Sequence, residues 1–271
     1  MSSNKWTPED LPIENKPSAS RIYDYLLGGY HNFEVDRMAA RKITEVMPEM
    51  PLYMRANRAF LRRVVRYLVK QGVEQFLDIG SGIPTVGNVH EIAQEANPSA
   101  RVVYVDREPV AVHQSKALLQ GNPNATIIQA DLRQVEDILD HPEARRLLDP
   151  SKPTAVLILS VLLFITDDEE AYRLVHVVRD TLAPGSYLAI SHPTEDNLPR
   201  EQADQTVKLY AAMRAPVNIR PYAQIERFFD GFELVEPGLV YAPLWRPEST
   251  DDLFYEQPEL SAYYGGVGRK P

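Results

Sequence analysis

The chain has 271 residues, 44% hydrophobic and 25% charged, enough for one large domain or two small ones with a sizeable core. A formal net charge of -9 argues against a nucleic-acid backbone as the main partner, and the absence of cysteine removes disulfides, thiolate zinc sites and a cysteine nucleophile. The longest apolar run, AVLILSVLLFI, is too short to span a bilayer, and no apolar stretch near the N-terminus resembles a signal. A cytoplasmic protein without a membrane partner is therefore expected.

Residues 1–17 are polar and proline-bearing and read as a flexible arm. A helix then starts at Ser18 or Ser20, both suitable N-caps, and stops at Gly28 and Gly29. The stretch FEVDRMAARKITEVMP gives a second helix, closed by Pro48 and Pro51. A third, from about 54 to 70, places Leu61, Val64, Val65 and Leu68 on one face and ends at Gly72. Arg58, Arg62, Arg63, Arg66 and Lys70 recur at helical spacing on it and read as a solvated face.

From residue 75 strands and helices alternate. QFLDI, RVVYVD, ATIIQA, TAVLILS and SYLAIS are predicted strands, and their continuous apolar character means a parallel sheet covered on both faces. The helix after QFLDI is expected to have Pro84 at or just before its first turn. Thr166 with Glu169 reads as the capping box of TDDEEAYRLVHVVRDTL. Helices over about 199–213 and 221–229 follow. FELVE and LVYAPL, around Pro237 and Gly238, read as an antiparallel pair on the sheet edge.

The stretch FLDIGSGIPTVG is a strand, a tight turn and the approach to a helix, an arrangement that offers backbone amides to a ligand. A dinucleotide fingerprint needs a third glycine where Thr85 stands, and Asp78 at the mouth would repel a pyrophosphate. The same carboxylate would welcome the ammonium and sulfonium of S-adenosylmethionine. Asp106 ends the second strand, where it can accept both hydroxyls of a ribose. Asp131 ends the third, where it can accept an adenine amino group with Leu132 against the ring. Three acids at three consecutive strand ends favour a nucleoside cofactor, and Thr85 with Asp78 disfavours an NAD-dependent oxidoreductase.

The segments SRIYDYLLGG, NRAFLRRVVRYL, QFLDIGSGIPT, RVVYVDREP, ADLR and PGSYLAISH resemble the actinobacterial S-adenosylmethionine-dependent methyltransferase family once classed as a domain of unknown function. The resemblance runs from about Ser18 to Arg246. It implies an α/β class I methyltransferase (Rossmann-like) fold, with a mostly parallel seven-stranded sheet, an antiparallel last strand and an N-terminal helical cap. It also implies that Asp78, Gly80 and Gly82 form the methionine-side loop, that Asp106 binds ribose, and that Asp131 with Leu132 holds adenine. Ser81, Arg107, Ser160, Tyr23, Tyr30 and Asn57 join them as expected cofactor contacts. One departure is visible: the family's motif continues G-G-K-D-N-F where this chain reads GGYHNF, so Tyr30 and His31 replace a Lys–Asp pair.

Methyl transfer from a sulfonium is an in-line displacement, so alignment in a dry pocket does most of the work. Tyr23, Tyr25, Tyr30 and Phe33 are aromatics of a candidate lid, suited to a sulfonium by cation–π attraction. His192, after the fifth strand, is the candidate general base. His90, His113 and His176 fall inside predicted helices and read as surface residues. No metal-ligand spacing is present. The expected organisation is a single domain over 18–271: a cap over 18–72, a sheet core over 73–246 and a tail over 247–271. The expected activity is methyl transfer to a small-molecule acceptor, leaving S-adenosylhomocysteine; the alternative is a cofactor-binding sensor without turnover.

Overall fold

The computed structural model describes residues 16–84, 87–213 and 215–271. Most of the expected arm, and Thr85 of the glycine loop, lie outside the described residues.

Three helices come first: α1 (Ala19–Leu26), α2 (Glu34–Val46) and α3 (Met50–Lys70). Ser18 is the N-cap position of α1, and Gly28 beyond its end takes φ +85°, the left-handed conformation glycine tolerates without cost. α3 starts four residues before the predicted 54. Pro51, read as a stop for α2, sits instead in the first turn of α3, where its missing N–H has no helical partner to lose. Arg21 of α1, almost wholly buried, donates from Nε to Asp36 of α2 at 2.7 Å and from Nη1 to Glu108 at 2.7 Å.

The alternating part runs β1 (Gln75–Ile79), α4 (Val89–Ala96), β2 (Arg101–Asp106), α5 (Pro109–Leu118), β3 (Ala125–Gln129), α6 (Val135–Asp140), α7 (Pro142–Leu147), β4 (Ala155–Leu159), α8 (Asp168–Thr181) and β5 (Tyr187–Pro193). α9 (Arg200–Ala212), α10 (Tyr222–Glu226), β6 (Glu233–Leu234), β7 (Val240–Tyr241) and β8 (Tyr263–Arg269) complete the chain. α8 is capped one residue later than predicted: the Asp167 carboxylate, not the Thr166 hydroxyl, accepts from Glu170 N at 2.7 Å. α4 begins five residues after Pro84, with the Glu91 carboxylate accepting from Asn88 N at its entrance.

The strands order as β3–β2–β1–β4–β5–β8–β6, with β7 also paired to β8. β1 to β5 are parallel, and β8 is antiparallel to β5. Neighbouring strand residues feed opposite cores. Phe76 and Val102 pack with Phe60, Val64 and Leu68 of α3, whereas Leu77 and Val103 pack with Ile138, Leu174 and Val178. The order reverses at β1, which lies between β2 and β4, so the carboxyl ends of these strands form the crevice where ligands of such sheets bind.

An antiparallel last strand is present, but it lies in the stretch predicted as a C-terminal tail. β6 and β7 do not pair with each other; each pairs with β8. The reason the strand escapes a sequence reading is its glycines, which punctuate turns far more often than strands. Here they are forced by packing. A Cβ on Gly265 would lie 2.7 Å from Cε2 of Phe60, and one on Gly268 would lie 2.7 Å from Cβ of Phe232. Aromatic rings press on the strand where side chains would otherwise stand. Gly265→Ala should therefore overpack the sheet and cost about 1–3 kcal/mol, read as a lower denaturant midpoint. An unchanged midpoint would show that Phe60 moves aside freely.

Candidate active site

β1 delivers Asp78 and then Gly80 and Gly82, at φ +75° and +68°, to the crevice. Gly80 is required twice over, since a Cβ there would also lie 2.3 Å from Cγ2 of Val161. Three amides of the loop are engaged within the protein. Gly80 N and Ser81 N donate to the Val105 carbonyl at 2.7 and 3.1 Å, and Gly82 N donates to Asp106 Oδ2 at 2.7 Å. What the loop presents is carboxylate.

Asp78 and Asp106 are both buried at the ends of adjacent strands. Burial raises the Asp78 pKa to about 7; the Arg58 charge pulls it back and Asp106 adds to the rise. Burial likewise raises Asp106 to about 6, although Glu108 N and Gly82 N donate to its carboxylate. Asp131 behaves in the opposite way: burial pushes it up, but Arg133 N and the charges of Arg133 and Arg107 outweigh this and hold it below its usual value. Two buried carboxyls held near neutrality beside a cavity mark a place for a partner that supplies positive charge and hydrogen-bond donors.

One cavity gathers these groups. It is lined by Asp78, Gly80, Ser81, Gly82, Asp106 and Arg107, and by Asp131 and Leu132 after β3. Tyr23, Asn57 and Ser160 also line it, so all but one of the expected cofactor contacts meet there. Ser81 Oγ, shielded from solvent, has no hydrogen-bond partner among the described residues. Asn57 is fixed by its neighbours: Ser191 Oγ donates to its Oδ1 at 2.6 Å, and its Nδ2 donates to Tyr23 OH at 3.2 Å. Ser160, at φ +57°, stores strain at the end of β4, and its hydroxyl lies 2.9 Å from Tyr263 OH.

Ile22, Leu26, Met54, Leu163, Tyr210 and Tyr263 extend the cavity as an apolar chamber. Arg58, Tyr210 and Tyr263 are lining residues that the sequence reading does not single out. Arg58 was hidden in the basic run, Tyr210 on a helix of weak pattern, and Tyr263 in the glycine-bearing strand. Burial pushes the Tyr210 phenol up to about 12 and the Tyr263 phenol higher, so both stay neutral.

His192, the candidate base, does not line the cavity. It is fully buried in β5, with Nδ1 2.7 Å from the Pro193 carbonyl and Nε2 3.1 Å from Nη1 of Arg220. Burial and the Arg220 charge lower its pKa to about 3. Arg220 also donates to the carbonyls of Leu162 and Ile165, so the histidine is one acceptor in a buried strut under the cavity floor. Tyr30 is the one expected cofactor contact outside the cavity: it is 84% exposed and packs against His31, ring centroids 4.3 Å apart. Nor is the basic face of α3 solvated throughout. Arg63 is buried and donates to the carbonyls of Trp245 and Ala242 at 2.8 Å each. His90 too is buried, 2.7 Å from Tyr104 OH through Nδ1.

Strand order, glycine loop and strand-end carboxylates together define a class I methyltransferase. The S-adenosyl methyltransferase family model matches residues 4–271, and the chain belongs to that family. A Thermobifida fusca YX protein assigned as a methyltransferase is 41% identical, with 98% of each chain covered and a TM-score of 0.91. A DUF574 family protein from Streptomyces avermitilis is 39% identical over 94% of this chain and 98% of that one, with a TM-score of 0.89. An O-methyltransferase family protein from Burkholderia thailandensis, 14% identical over 95% of this chain and 65% of that one, shares the fold with a TM-score of 0.52. No curated protein matches. Among the described residues no helix is long and apolar enough to cross a membrane, and no cluster of side chains could hold a metal ion.

The raised carboxyls set a pH dependence. A folded Asp78 keeps a proton that the unfolded chain releases near pH 3.9, so its stabilising contribution is full below that value and is lost as pH rises through about 7. Asp78→Asn should therefore raise the melting temperature more at pH 8 than at pH 5. Equal shifts at both pH values would mean the carboxyl titrates normally. His192 has the opposite sign: its contribution is present above pH 6.5 and is lost as pH falls toward about 3. His192→Ala should lower the unfolding midpoint and leave cofactor affinity unchanged; loss of affinity without loss of stability would return it to the site.

Proposed function

We propose that the cavity binds S-adenosylmethionine with its ammonium at Asp78, its ribose hydroxyls on Asp106 and its adenine between Asp131 and Leu132, and transfers the methyl group to a small molecule in the adjoining chamber. The observation that carries this reading is the pair of buried carboxyls, Asp78 and Asp106, held near neutrality on one wall of one cavity. Bound there, the cofactor supplies an electrophilic methyl on a sulfonium and leaves as S-adenosylhomocysteine. The chain's own contribution is placement. Asn57 and Tyr23 fix the wall between cofactor and chamber, and Ser160 with Tyr263 offers hydroxyls to an acceptor. Beside its carboxylates the cavity is lined by the apolar Ile22, Leu26, Met54 and Leu163, which supports an acceptor of small size and low charge in the chamber.

A cation arriving beside Asp78 lowers its pKa, so cofactor binding at pH 6.5 should release protons. Titration calorimetry in buffers of different ionisation enthalpy measures this, and Asp78→Asn should abolish the release. Asp106→Ala should weaken S-adenosylmethionine binding by about 1.5–3 kcal/mol, as for hydrogen bonds to a charged group. Unchanged affinity in Asp106→Ala, or tight NADH binding by the wild type, would remove the assignment. Release of S-adenosylhomocysteine in a metabolite extract separates turnover from mere binding.

A further inference from the structure

Arg55, Arg58 and Arg62, at i, i+3 and i+7, lie on one side of α3 and line a groove of about 810 Å³ outside the cofactor cavity. The opposite wall is the turn after α1, which carries Tyr30 and His31. Arg62 is half-buried, and burial together with the charges of Arg58 and Arg66 pushes its pKa down, with Glu248 and Asp252 offsetting only part. Neither Arg55 nor Arg62 enters an ion pair or hydrogen bond among the described residues. The groove's carboxylates are mostly engaged elsewhere. Asp24 accepts from His31 N and Asn32 Nδ2, Glu91 from Gly87 N and Asn88 N, and Asp252 from Glu248 N; Asp251 is exposed.

Apolar surface collects in the same place. Of the six large apolar side chains exposed among the described residues, three line this groove: Tyr30, Leu118 and Leu253. The guanidinium groups of Arg55 and Arg62, which enter no ion pair among the described residues and face exposed rings and leucines, are complementary to a molecule with an acidic head and an apolar body. We propose that this groove binds a small organic anion, its phosphate or carboxylate held by Arg55, Arg58 and Arg62 and its body lying against Tyr30, Leu118 and Leu253. Arg58 lines both the groove and the cavity of Asp78 and Asp106, so the two ligands would be neighbours.

The test titrates the full chain with 1-naphthyl phosphate, 1-naphthol and inorganic phosphate, with and without saturating S-adenosylmethionine. Naphthyl phosphate should bind at least tenfold more tightly than either fragment and should not be displaced by the cofactor. Arg62→Gln and Arg55→Gln should each weaken naphthyl phosphate about tenfold and leave naphthol unchanged. Tyr30→Ala should weaken naphthyl phosphate and naphthol but not phosphate. Cofactor binding is measured in every variant, so failure of the methyltransferase reading is recorded separately. Arg55 is exposed, so its variant decides the matter if Arg62→Gln folds poorly. Equal binding of naphthyl phosphate and naphthol, unchanged binding in Arg55→Gln, or displacement by S-adenosylmethionine would overturn the proposal.

Discussion

The buried guanidinium of Arg21 is the interaction on which the site's geometry depends. It reaches Asp36 of α2, Glu108 at the entrance to α5 and the Lys16 carbonyl, all within 2.8 Å. Asp36 in turn accepts from Ser18 N and Phe33 N, closing both helix entrances on one carboxylate. On the other side Glu108 N donates to Asp106, and Asp106 accepts from Gly82 N. One continuous chain of charge-assisted bonds thus runs from the helical cap to the glycine loop. Removing a partner would strand a buried charge at a cost of about 3–5 kcal/mol, so cap and loop hold together or fail together.

Against this rigid frame the carboxyls of Asp78 and Asp106 stand out as local conflicts. Each is an acid buried without a cationic partner close enough to hold it ionised at its usual pKa. Folds tolerate such conflicts mainly where a ligand resolves them. The strained φ of Ser160 and the unsatisfied Ser81 hydroxyl belong to the same stretch of cavity wall. The buried strut of His192 and Arg220 is the contrast: every polar atom there has found a partner within the protein, which is what a structural polar group looks like.

Much of this was legible in the residues. The N-cap at Ser18, the left-handed stop at Gly28 and the period of strands and helices are local signals, set by backbone preferences that do not need tertiary context. Asp78, Asp106 and Asp131 were legible because a parallel sheet sends all its strand ends to one edge. What stayed hidden depends on contacts distant in sequence. Gly265 and Gly268 spell a turn until the rings of Phe60 and Phe232 are placed beside them. His192 sits at the correct strand end, but only the arrival of Arg220 and β8 shows that it is sealed in. Arg58, Arg62 and Arg63 share one helical spacing yet meet the cavity of Asp78 and Asp106, a groove and a buried carbonyl pair, a division that periodicity does not encode.

The position of β8 has a consequence for how the protein comes into being. On the ribosome β5 emerges well before β8, with α9, α10 and two short strands made in between. Throughout that interval one edge of β5 carries unpaired N–H and C=O groups, a template for adhesion to other nascent chains. The strand that closes this edge also brings Tyr263 to the chamber wall. Protection of the sheet and completion of the binding chamber are therefore a single event, and an unfinished chain has neither.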